Sequence, residues 1–374
     1  MPANNVLVLE DDPFLRMIGI LLDPNTSAER TAAFADFFAH DEPDFAGYCE
    51  RVRRRVGALF PAEVRIVETP DEMRAALPDA RAAIVESLAM GPEEIAAGLA
   101  LAAVQKFGVI LRNIDQQACA ARGIKVLTLR RRANCACAEM AFTLMLILAK
   151  KLNQVMSRIS VEQFAAAGYA YRPFDRRHTP NSNWARIPGV RMLYGSTIGI
   201  VGLGEIGREI ALRAAAFGMH TLYYQRRRLS DAEERELSAN YVPLPELLAQ
   251  SDWLLPVLPI SPATRGLIGR DELAQIKPGA ILVNVSTADA VDRTALIEVL
   301  RSGRLGGFAL DPLYQAPGRK DDELLSFPNV VLSPHLAGSP RFNGLDDMAE
   351  LCEGLARALS AYLEQHLTVG AADC

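Results

Sequence analysis

Short apolar segments rich in valine, isoleucine and leucine alternate along the chain with stretches in which apolar residues recur at helical spacing. Alternation of this kind is typical of βαβ units built around parallel sheets, and it predicts an α/β fold. In the first third of the chain the apolar segments predict strands near residues 5–10, 64–68, 82–86, 102–107 and 124–128.

Residues 11–61 separate the first two predicted strands by an unusually long interval. Phe34, Phe37 and Phe38 recur there at helical spacing, which favours helices that face a core. The charge run RVRRR at residues 51–55 is interpreted as a solvated helix face, with a nucleic-acid-binding role as the weaker alternative.

The segment CACAEMAFTLMLILAKKL, residues 135–152, predicts a long buried helix that joins two domains. Cys135 and Cys137 are interpreted as small buried residues of this helix, because a metal site would need two further ligands nearby and none follows. Residues 165–195 lose the periodicity and collect Tyr, Pro, Arg and Asn around Trp184, which predicts an extended arm. Such an arm often embraces a second subunit.

Length and composition set the broad class. The chain has 374 residues, half of them hydrophobic, which is enough for two domains with their own cores. The formal net charge of -5 gives no general attraction to nucleic acid. No run of about 18 apolar residues occurs, and the first ten residues do not resemble a secretory signal, so neither a membrane span nor secretion is expected. Six scattered cysteines fit a reducing compartment, and we expect a cytoplasmic protein with no metal site.

Residues 196–228, STIGIVGLGEIGREIALRAAAFGMHTLYYQRRR, contain the most specific motif. Gly202, Gly204 and Gly207 form G-x-G-x-x-G between a predicted strand and a predicted helix, and a second strand ends at Tyr224. The first glycine permits a tight turn, the second leaves room for a pyrophosphate, and the third lets the helix pack on the strand. The helix N-terminus would then face the phosphates. This order predicts a dinucleotide site.

The end of the second strand indicates which dinucleotide is preferred. An NAD site places Asp or Glu there to bind the ribose 2′-hydroxyl, whereas a 2′-phosphate requires cations instead. This chain has Gln225 followed by Arg226, Arg227 and Arg228. NADP(H) is therefore predicted and NAD is less favoured. In the alternative interpretation the arginines are only solvated and Gln225 tolerates either cofactor.

From Ala103 to Ser339 the sequence resembles the D-isomer-specific 2-hydroxyacid dehydrogenase family. The similar stretches are QKFGVILRNID (105–115), ARGIKV (121–126), AEMAFTLMLILAKKL (138–152), the motif above, SDWLLPVLPISPATRGLI (251–268), KPGAILVN (277–284), LGGFALD (305–311) and NVVLSPHLAGS (329–339). The resemblance implies a Rossmann NAD(P)-binding domain inserted into a flavodoxin-like substrate domain. The implied ranges are 1–132 with 338–374 for the substrate domain, and 133–337 for the Rossmann domain with an arm near 153–195.

In that family an arginine holds the 2-keto acid, a histidine transfers a proton, and a glutamate pairs with the histidine. The resemblance places His335 at the histidine position. Thr287 stands at the arginine position and Ala316 at the glutamate position. Asp311 matches the aspartate that hydrogen-bonds the nicotinamide carboxamide. The residues that orient the nicotinamide and transfer the proton are therefore expected to be the same as in the family, whereas the residues that recognise the substrate are expected to differ.

The sequence offers substitutes for the two missing groups. Arg112 stands where the family has a short polar residue, and Arg130, Arg131 and Arg132 replace a proline-glycine turn. A guanidinium from this set could hold an anion. In the alternative interpretation Arg112 pairs with Asp115 or a neighbouring surface acid, and residues 130–132 point to solvent without binding a ligand.

Beside Ala316, Tyr314 and Gln315 are candidates to hydrogen-bond His335. The predicted catalytic set is His335, Thr287 and Arg112. The residues expected to bind the cofactor are Gly202, Leu203, Gly204, Glu205, Ile206, Gly207, Gln225, Arg226, Arg227, Pro259, Thr264, Val285, Ser286, Asp311 and His335.

Together these observations predict a cytoplasmic NADP(H)-dependent oxidoreductase, a homodimer by resemblance, that acts on a carbonyl or hydroxyl compound. The substrate is expected to be unlike a simple 2-keto acid, and an anionic compound is compatible with the sequence. Neither nucleic acid nor a membrane is expected as a partner. Two alternatives stay open: a lyase that uses tightly bound NADP transiently, and a catalytically impaired scaffold that senses a dinucleotide.

Overall fold

Two parallel sheets contain all of the named strands in the described part of the chain. The computed structural model describes residues 5–370, with side chains described up to residue 364. The chain divides into unit 1, Met1–Asn134 with Gly338–Cys374, and unit 2, Cys135–Ala337. The mixed α/β class predicted from alternating strand and helix patterns is confirmed.

The sheet of unit 1 has five strands in the order β2-β1-β3-β4-β5, which is the flavodoxin-like order. Every one of the strands predicted in the first third is present; the first has the predicted bounds, and the bounds of the other four are shifted by at most two residues. The strands are β1 Asn5–Glu10, β2 Ala62–Val67, β3 Ala82–Val85, β4 Ala103–Lys106 and β5 Lys125–Leu127. The helices between them are α1 Arg16–Leu22, α2 Ala28–Phe38, α3 Phe45–Val56, α4 Pro70–Ala76, α5 Pro92–Ala97 and α6 Gln116–Ala121, with a 3-10 turn at Gly57–Leu59.

The long interval between β1 and β2 is helical, as predicted, and forms α1, α2 and α3. Phe38 is fully buried and stacks on Phe45 with ring centroids 6.0 Å apart, while Phe37 remains 39% exposed. The interpretation of the charge run as a solvated face needs one correction. Arg53 donates hydrogen bonds to the carbonyl oxygens of Ile20 and Leu21, and so satisfies the carboxyl end of α1.

The sheet of unit 2 has seven strands in the order β12-β11-β10-β9-β6-β7-β8. Its strands are β6 Thr197–Val201, β7 His220–Tyr224, β8 Ala239–Tyr241, β9 Trp253–Pro256, β10 Ile281–Asn284, β11 Gly307–Leu310 and β12 Val330–Leu332. Since β7 lies on one side of β6 and β9 on the other, the chain reverses its direction of growth at β6. In open α/β sheets ligands bind beyond the carboxyl ends of the strands at such a switch point.

The helices of unit 2 cover both faces of this sheet. They are α7 Arg132–Ala149, α8 Leu152–Val155, α9 Val161–Ala166, α10 Glu205–Ala216, α11 Asp231–Leu237, α12 Leu244–Gln250, α13 Arg270–Gln275 and α14 Arg293–Arg301, with 3-10 turns at Ala288–Ala290 and Glu323–Ser326. The chain then returns to unit 1 as α15, Phe342–Gly370.

Helix α7 begins at Arg132, three residues before the predicted start. By length and composition alone it is, among the described helices, one that could cross a membrane. Its buried residues Ala141, Leu144 and Met145 pack in the core of unit 2, as in a core helix. Cys135 and Cys137 are half-buried, so the prediction that both are buried is wrong.

The predicted arm contains two short helices, α8 and α9, and then neither helix nor strand until β6. Phe164 of α9 packs edge-on against Trp184 with ring centroids 5.3 Å apart, so the arm has a small core of its own. Met192 and Tyr194, near the end of the arm, are exposed.

Candidate active site

The glycine loop after β6 has the geometry that each glycine was expected to provide. A Cβ at Gly202 would lie 2.3 Å from the carbonyl oxygen of Val257, and φ of Gly202 is 99°. A Cβ at Gly207 would lie 2.4 Å from the carbonyl oxygen of Gly202. At Gly204, the residue that precedes α10, a Cβ would meet nothing within 4 Å. Open space in front of a helix N-terminus fits a pyrophosphate.

Gln225 connects the glycine loop to the arginine run that follows β7. Its amide oxygen accepts a hydrogen bond from the Leu203 backbone N–H at 3.3 Å, and its amide nitrogen donates to the Arg227 carbonyl oxygen at 2.6 Å. The side chain at the end of β7 is therefore uncharged, and two hydrogen bonds fix its orientation. A carboxylate that would repel a phosphate is absent from this position.

The three arginines after Gln225 differ in their surroundings. Arg228 donates two hydrogen bonds to Glu234, at 2.9 and 2.8 Å, and this contact lowers the pKa of the Glu234 carboxyl from its ordinary value. Arg226 and Arg227 are exposed, and neither makes an ion pair within the described part of the chain. Arg228 thus stabilises the loop, and two guanidinium groups remain available to a ligand.

The loops after β9 and β10 end at the same edge of the sheet as the glycine loop. The Thr264 hydroxyl donates to the Pro259 carbonyl oxygen at 2.5 Å, and the Ser286 hydroxyl donates to the Leu258 carbonyl oxygen at 2.7 Å. Val285 is buried beneath them. The predicted cofactor positions near this edge are Gly202, Leu203, Gly204, Glu205, Ile206, Gly207, Gln225, Arg226, Arg227, Pro259, Thr264, Val285 and Ser286.

Asp311 organises the turn that contains the predicted acid-base histidine. Its fully buried carboxylate accepts hydrogen bonds from the Ser333 hydroxyl at 2.7 Å and from the backbone N–H groups of Leu336 and Ala337, each at 2.8 Å. The His335 backbone N–H donates to the Asp311 carbonyl oxygen at 3.0 Å. One aspartate therefore fixes both sides of this turn.

His335 occupies the left-handed region, with φ of 57°, and its side chain is exposed. Such a conformation is uncommon for a residue other than glycine and persists only where the surroundings hold it. The hydrogen bonds to Asp311 supply that restraint. Since a carboxylate offers about four lone-pair sites and three are used, Asp311 has capacity for one further donor, such as the predicted carboxamide.

The turn that contains Thr287 is built by Asn284, which is fully buried. The Asn284 amide donates to the Thr287 carbonyl oxygen at 2.7 Å and accepts from the Ser286 backbone N–H at 2.9 Å. The Thr287 hydroxyl makes no hydrogen bond within the described chain. It can offer a substrate one neutral hydrogen bond and no positive charge.

Near Ala316, one hypothesis from the sequence is wrong. The Tyr314 hydroxyl donates to the Val291 carbonyl oxygen at 2.9 Å, so it does not hydrogen-bond His335. Burial raises the pKa of Tyr314, which keeps this donor protonated. Gln315 and Ala316 are exposed.

In unit 1, the two arginine positions singled out by sequence have different roles. Arg112 is exposed and makes no ion pair within the described residues; the carboxylate of Asp115, its expected partner, instead caps two backbone N–H groups of α6. Arg132 donates to Asp347 at 2.8 Å and to Glu350 at 2.7 Å. Arg132 therefore stabilises the start of α7, although its side chain is still 40% exposed.

Several polar residues that end strands were not singled out from the sequence. Glu10 ends β1, Glu86 follows β3 and Lys106 ends β4, so all three lie at the carboxyl edge of the unit 1 sheet. The sequence contains a signal for them, because a charged residue at the end of a buried strand lies at the carboxyl edge of the sheet, where ligands bind in such folds. Within residues 5–364 no group of three or more His, Cys, Asp or Glu side chains could hold a metal ion.

A Rossmann sheet with an open glycine loop in front of a helix N-terminus is the architecture of a dinucleotide-binding domain. Residues 142–337 match the model of the D-isomer specific 2-hydroxyacid dehydrogenase, NAD binding domain. A glyoxylate reductase of Thermococcus gammatolerans is 38% identical over 259 residues, which cover 69% of this chain and 72% of that relative. The chain belongs to the D-isomer specific 2-hydroxyacid dehydrogenase family.

Two further comparisons are consistent with this. A D-3-phosphoglycerate dehydrogenase of Mycobacterium leprae is 32% identical over 280 residues, covering 74% of this chain and 49% of that relative. The crystal structure of a glyoxylate reductase from Paecilomyes thermophila has a TM-score of 0.51 at 23% identity and covers 96% of both chains, which supports the fold. The protein is accordingly an NAD(P)-dependent oxidoreductase by family.

Proposed function

We propose that this protein is an NADP(H)-dependent oxidoreductase in which His335 is the acid-base group and in which recognition of the substrate differs from that of its relatives. The observation that carries the proposal is the Asp311 turn. It holds His335 in a strained conformation, while Thr287 and Ala316 offer neither a guanidinium nor a carboxylate. Strain retained at one point of a site indicates a retained function.

The preference for the phosphorylated cofactor rests on charge. Gln225 is neutral, and Arg226 and Arg227 are free of acid partners in the described chain. Guanidinium groups bind phosphate through charge-assisted, often bidentate, hydrogen bonds. We expect these two arginines to hold the 2′-phosphate, with Gly204 and the first turn of α10 beside the pyrophosphate.

The residues of the chain define the remaining chemistry. A bound nicotinamide would supply or accept the hydride, with its carboxamide beside Asp311. His335 would pass a proton to or from the substrate oxygen. Thr287 provides at most a neutral hydrogen bond, so the charge of an anionic substrate must be balanced by another group.

The names of the relatives suggest small 2-oxo acids as the chemical class, since one reduces glyoxylate and another oxidises a phosphorylated 2-hydroxy acid. The substrate proposed for this protein is a carbonyl or hydroxyl compound that differs from a simple 2-oxo acid, and any anionic group it carries is recognised without the usual arginine. A cytoplasmic location and a homodimer formed through the arm are part of the same proposal. Light scattering that shows a monomer would contradict the dimer.

The catalytic claim is tested with His335→Asn. We expect kcat with NADPH to fall by ~10²–10⁴, the usual contribution of a positioned acid or base, while the NADPH dissociation constant changes little. The measurement is NADPH oxidation with a panel of 2-oxo acids, from glyoxylate to larger ones. Unchanged turnover in His335→Asn would contradict the assignment.

The double variant Thr287→Arg with Ala316→Glu is the companion test. We expect it to raise kcat/KM for glyoxylate, because it restores an anion-binding group and a partner for His335 in the same turns. If NADPH binds but neither protein turns over any substrate, the protein is a dinucleotide-sensing scaffold. If bound NADP copurifies and substrate is converted without net change in absorbance, the transient, lyase-like use of cofactor is correct.

A further inference from the structure

The arginine loop of unit 2, residues 225–229, has no backbone support of its own. It joins β7, which ends at Tyr224, to α11, which begins at Asp231. Within the described part of the chain, residues 225–229 make no backbone–backbone hydrogen bond. A loop without such bonds has many backbone conformations open to it, so side chains must decide which one it adopts. The placement of Arg226 and Arg227 therefore depends on the side chains that hold this loop.

Both ends of the arginine loop are held by hydrogen bonds from side chains. Gln225 holds the first end through its amide. The second end is held from within the core by Tyr223, a residue of β7 with no exposed surface. The Tyr223 hydroxyl accepts a hydrogen bond from the Leu229 backbone N–H at 2.9 Å and donates one to the Glu234 carboxylate at 2.7 Å. A phenolic hydroxyl can donate and accept at once, so both bonds are compatible.

The bond between the Tyr223 hydroxyl and the Leu229 N–H is the buried one in this network. Burial, and then the contact with Glu234, raise the pKa of Tyr223 to about 12, so the hydroxyl stays protonated at neutral pH. Leu229 is 7% exposed, and without the hydroxyl its N–H would lose its acceptor in a place that water does not readily reach. The contact between Arg228 and Glu234 is more exposed, and exposed ion pairs contribute little. The hydroxyl is therefore the stronger anchor of the loop.

We propose that Tyr223 is a positioning residue for cofactor selection, whose hydroxyl fixes the main chain after Arg226 and Arg227 and so sets both guanidinium groups for the 2′-phosphate. This role rests on the proposed function, in which these two arginines bind the phosphate. A loop that is fixed before binding loses less conformational freedom when the ligand arrives, and its affinity is higher for that reason. NADH has no 2′-phosphate, so its affinity does not depend on this anchor.

The test is the ratio of the dissociation constants for NADH and NADPH in Tyr223→Phe, measured by fluorescence titration of the full-length protein. The substitution removes the hydroxyl and keeps the buried ring, which packs edge-on against Tyr241 with centroids 5.5 Å apart. We expect NADPH binding to weaken by roughly fivefold or more, because the loop must shift to give the Leu229 N–H a new acceptor. NADH binding should stay within about twofold of the wild type. A purely structural role of the hydroxyl would lower Tm and leave the ratio unchanged.

Two further variants serve as controls. Tyr241→Phe removes a hydroxyl from the same pair of rings, and that hydroxyl makes no hydrogen bond in the described chain. It should leave the ratio within about twofold of the wild type. Glu234→Gln removes the charge that Arg228 contacts but keeps an amide oxygen as acceptor for Tyr223, so the ratio should change by less than about threefold. A loss of NADPH affinity in Glu234→Gln as large as in Tyr223→Phe would assign the anchor to the ion pair and overturn the role of the hydroxyl.

The wild-type protein separates this role from the proposed function. A wild type that prefers NADPH, with the same preference in Tyr223→Phe, would overturn the role of Tyr223 alone. Equal binding of both dinucleotides by the wild type would refute the NADP(H) preference, and this role with it. Should Tyr223→Phe fail to fold, hydrogen exchange in the cofactor-free wild type carries the test. The Leu229 amide should exchange more slowly than the amides of Arg226 and Arg227, and equally fast exchange would contradict the anchor.

Discussion

Two runs of three arginines, residues 226–228 in unit 2 and residues 130–132 in unit 1, look alike in the sequence but are not used uniformly. Each run contains a member with a carboxylate partner within its own unit: Arg228 is bound by Glu234, and Arg132 by Asp347. These two members stabilise a loop and a helix start.

The other members differ. Arg226 and Arg227 are exposed without ion pairs in the described chain, and Arg131 stacks on Phe107 without a hydrogen-bond partner. The comparison shows that members of one arginine run differ in whether an acid folds against them, and we propose that the unpaired members of the unit 2 run bind the cofactor. We expect substitutions to separate the two kinds, with affinity lost at one and stability lost at the other.

The largest effect is expected for the double variant Arg226→Ala with Arg227→Ala. Each charge-assisted hydrogen bond contributes about 1.5–3 kcal/mol. Loss of one from each arginine should weaken NADPH binding by roughly 10²-fold or more. NADH binding should change little, because NADH has no 2′-phosphate. Fluorescence titration of both dinucleotides measures this directly.

The control for that pair is Arg228→Ala, which removes the same charge from the same loop but breaks the contact with Glu234. It should change NADPH affinity by less than about threefold, as expected of an exposed ion pair. If Arg228→Ala weakened NADPH binding as much as the double variant, the division of this run into two kinds would be wrong.

The next effect concerns the structural member of the other run. Asp347 is 2% exposed and accepts hydrogen bonds from both the backbone N–H and the guanidinium of Arg132. In Asp347→Ala the N–H at the start of α7 loses its acceptor, which should lower the free energy of unfolding by about 1–3 kcal/mol. Denaturant unfolding measures it. A destabilisation below about 0.5 kcal/mol would show that water replaces the carboxylate.

The smallest expected effect is a pH dependence near the cofactor loop. The Arg208 guanidinium, 2.5 Å from Glu233, lowers the pKa of that carboxyl to about 2. A carboxyl with a depressed folded-state pKa contributes stability above its unfolded pKa of about 4.3, and that contribution is lost as pH falls toward 2. Glu233→Gln should therefore flatten the Tm profile between about pH 4.5 and 2. An unchanged profile would mean that solvent screens the pair.

Most of the fold could be predicted from the sequence. The spacing of apolar residues within a segment shows which of its faces is buried, and this spacing differs between strands and helices. The five strands of unit 1 and the strand-glycine-helix order at residues 196–228 were both found in this way. The parallel order of the sheets follows from alternation and from the resemblance. Such features depend on near neighbours in the chain.

The details of the site depend on residues that are far apart in the sequence. Arg132 meets Asp347 across 215 residues of sequence, and Asp311 meets the N–H of Ala337 across 26. No local pattern marks such partners, so the sequence could not show which arginines are engaged. It also suggested Tyr314 as a partner of His335, which the contact with Val291 excludes.

The central claim is that the glycine loop and its two unpaired arginines select the phosphorylated dinucleotide. The most direct measurement is the ratio of dissociation constants of the wild-type protein for NADH and NADPH, obtained by titration at low and high salt. We predict that NADPH binds at least about tenfold more tightly, with an advantage that shrinks as salt screens the phosphate. Equal binding, or tighter binding of NADH, would contradict the account.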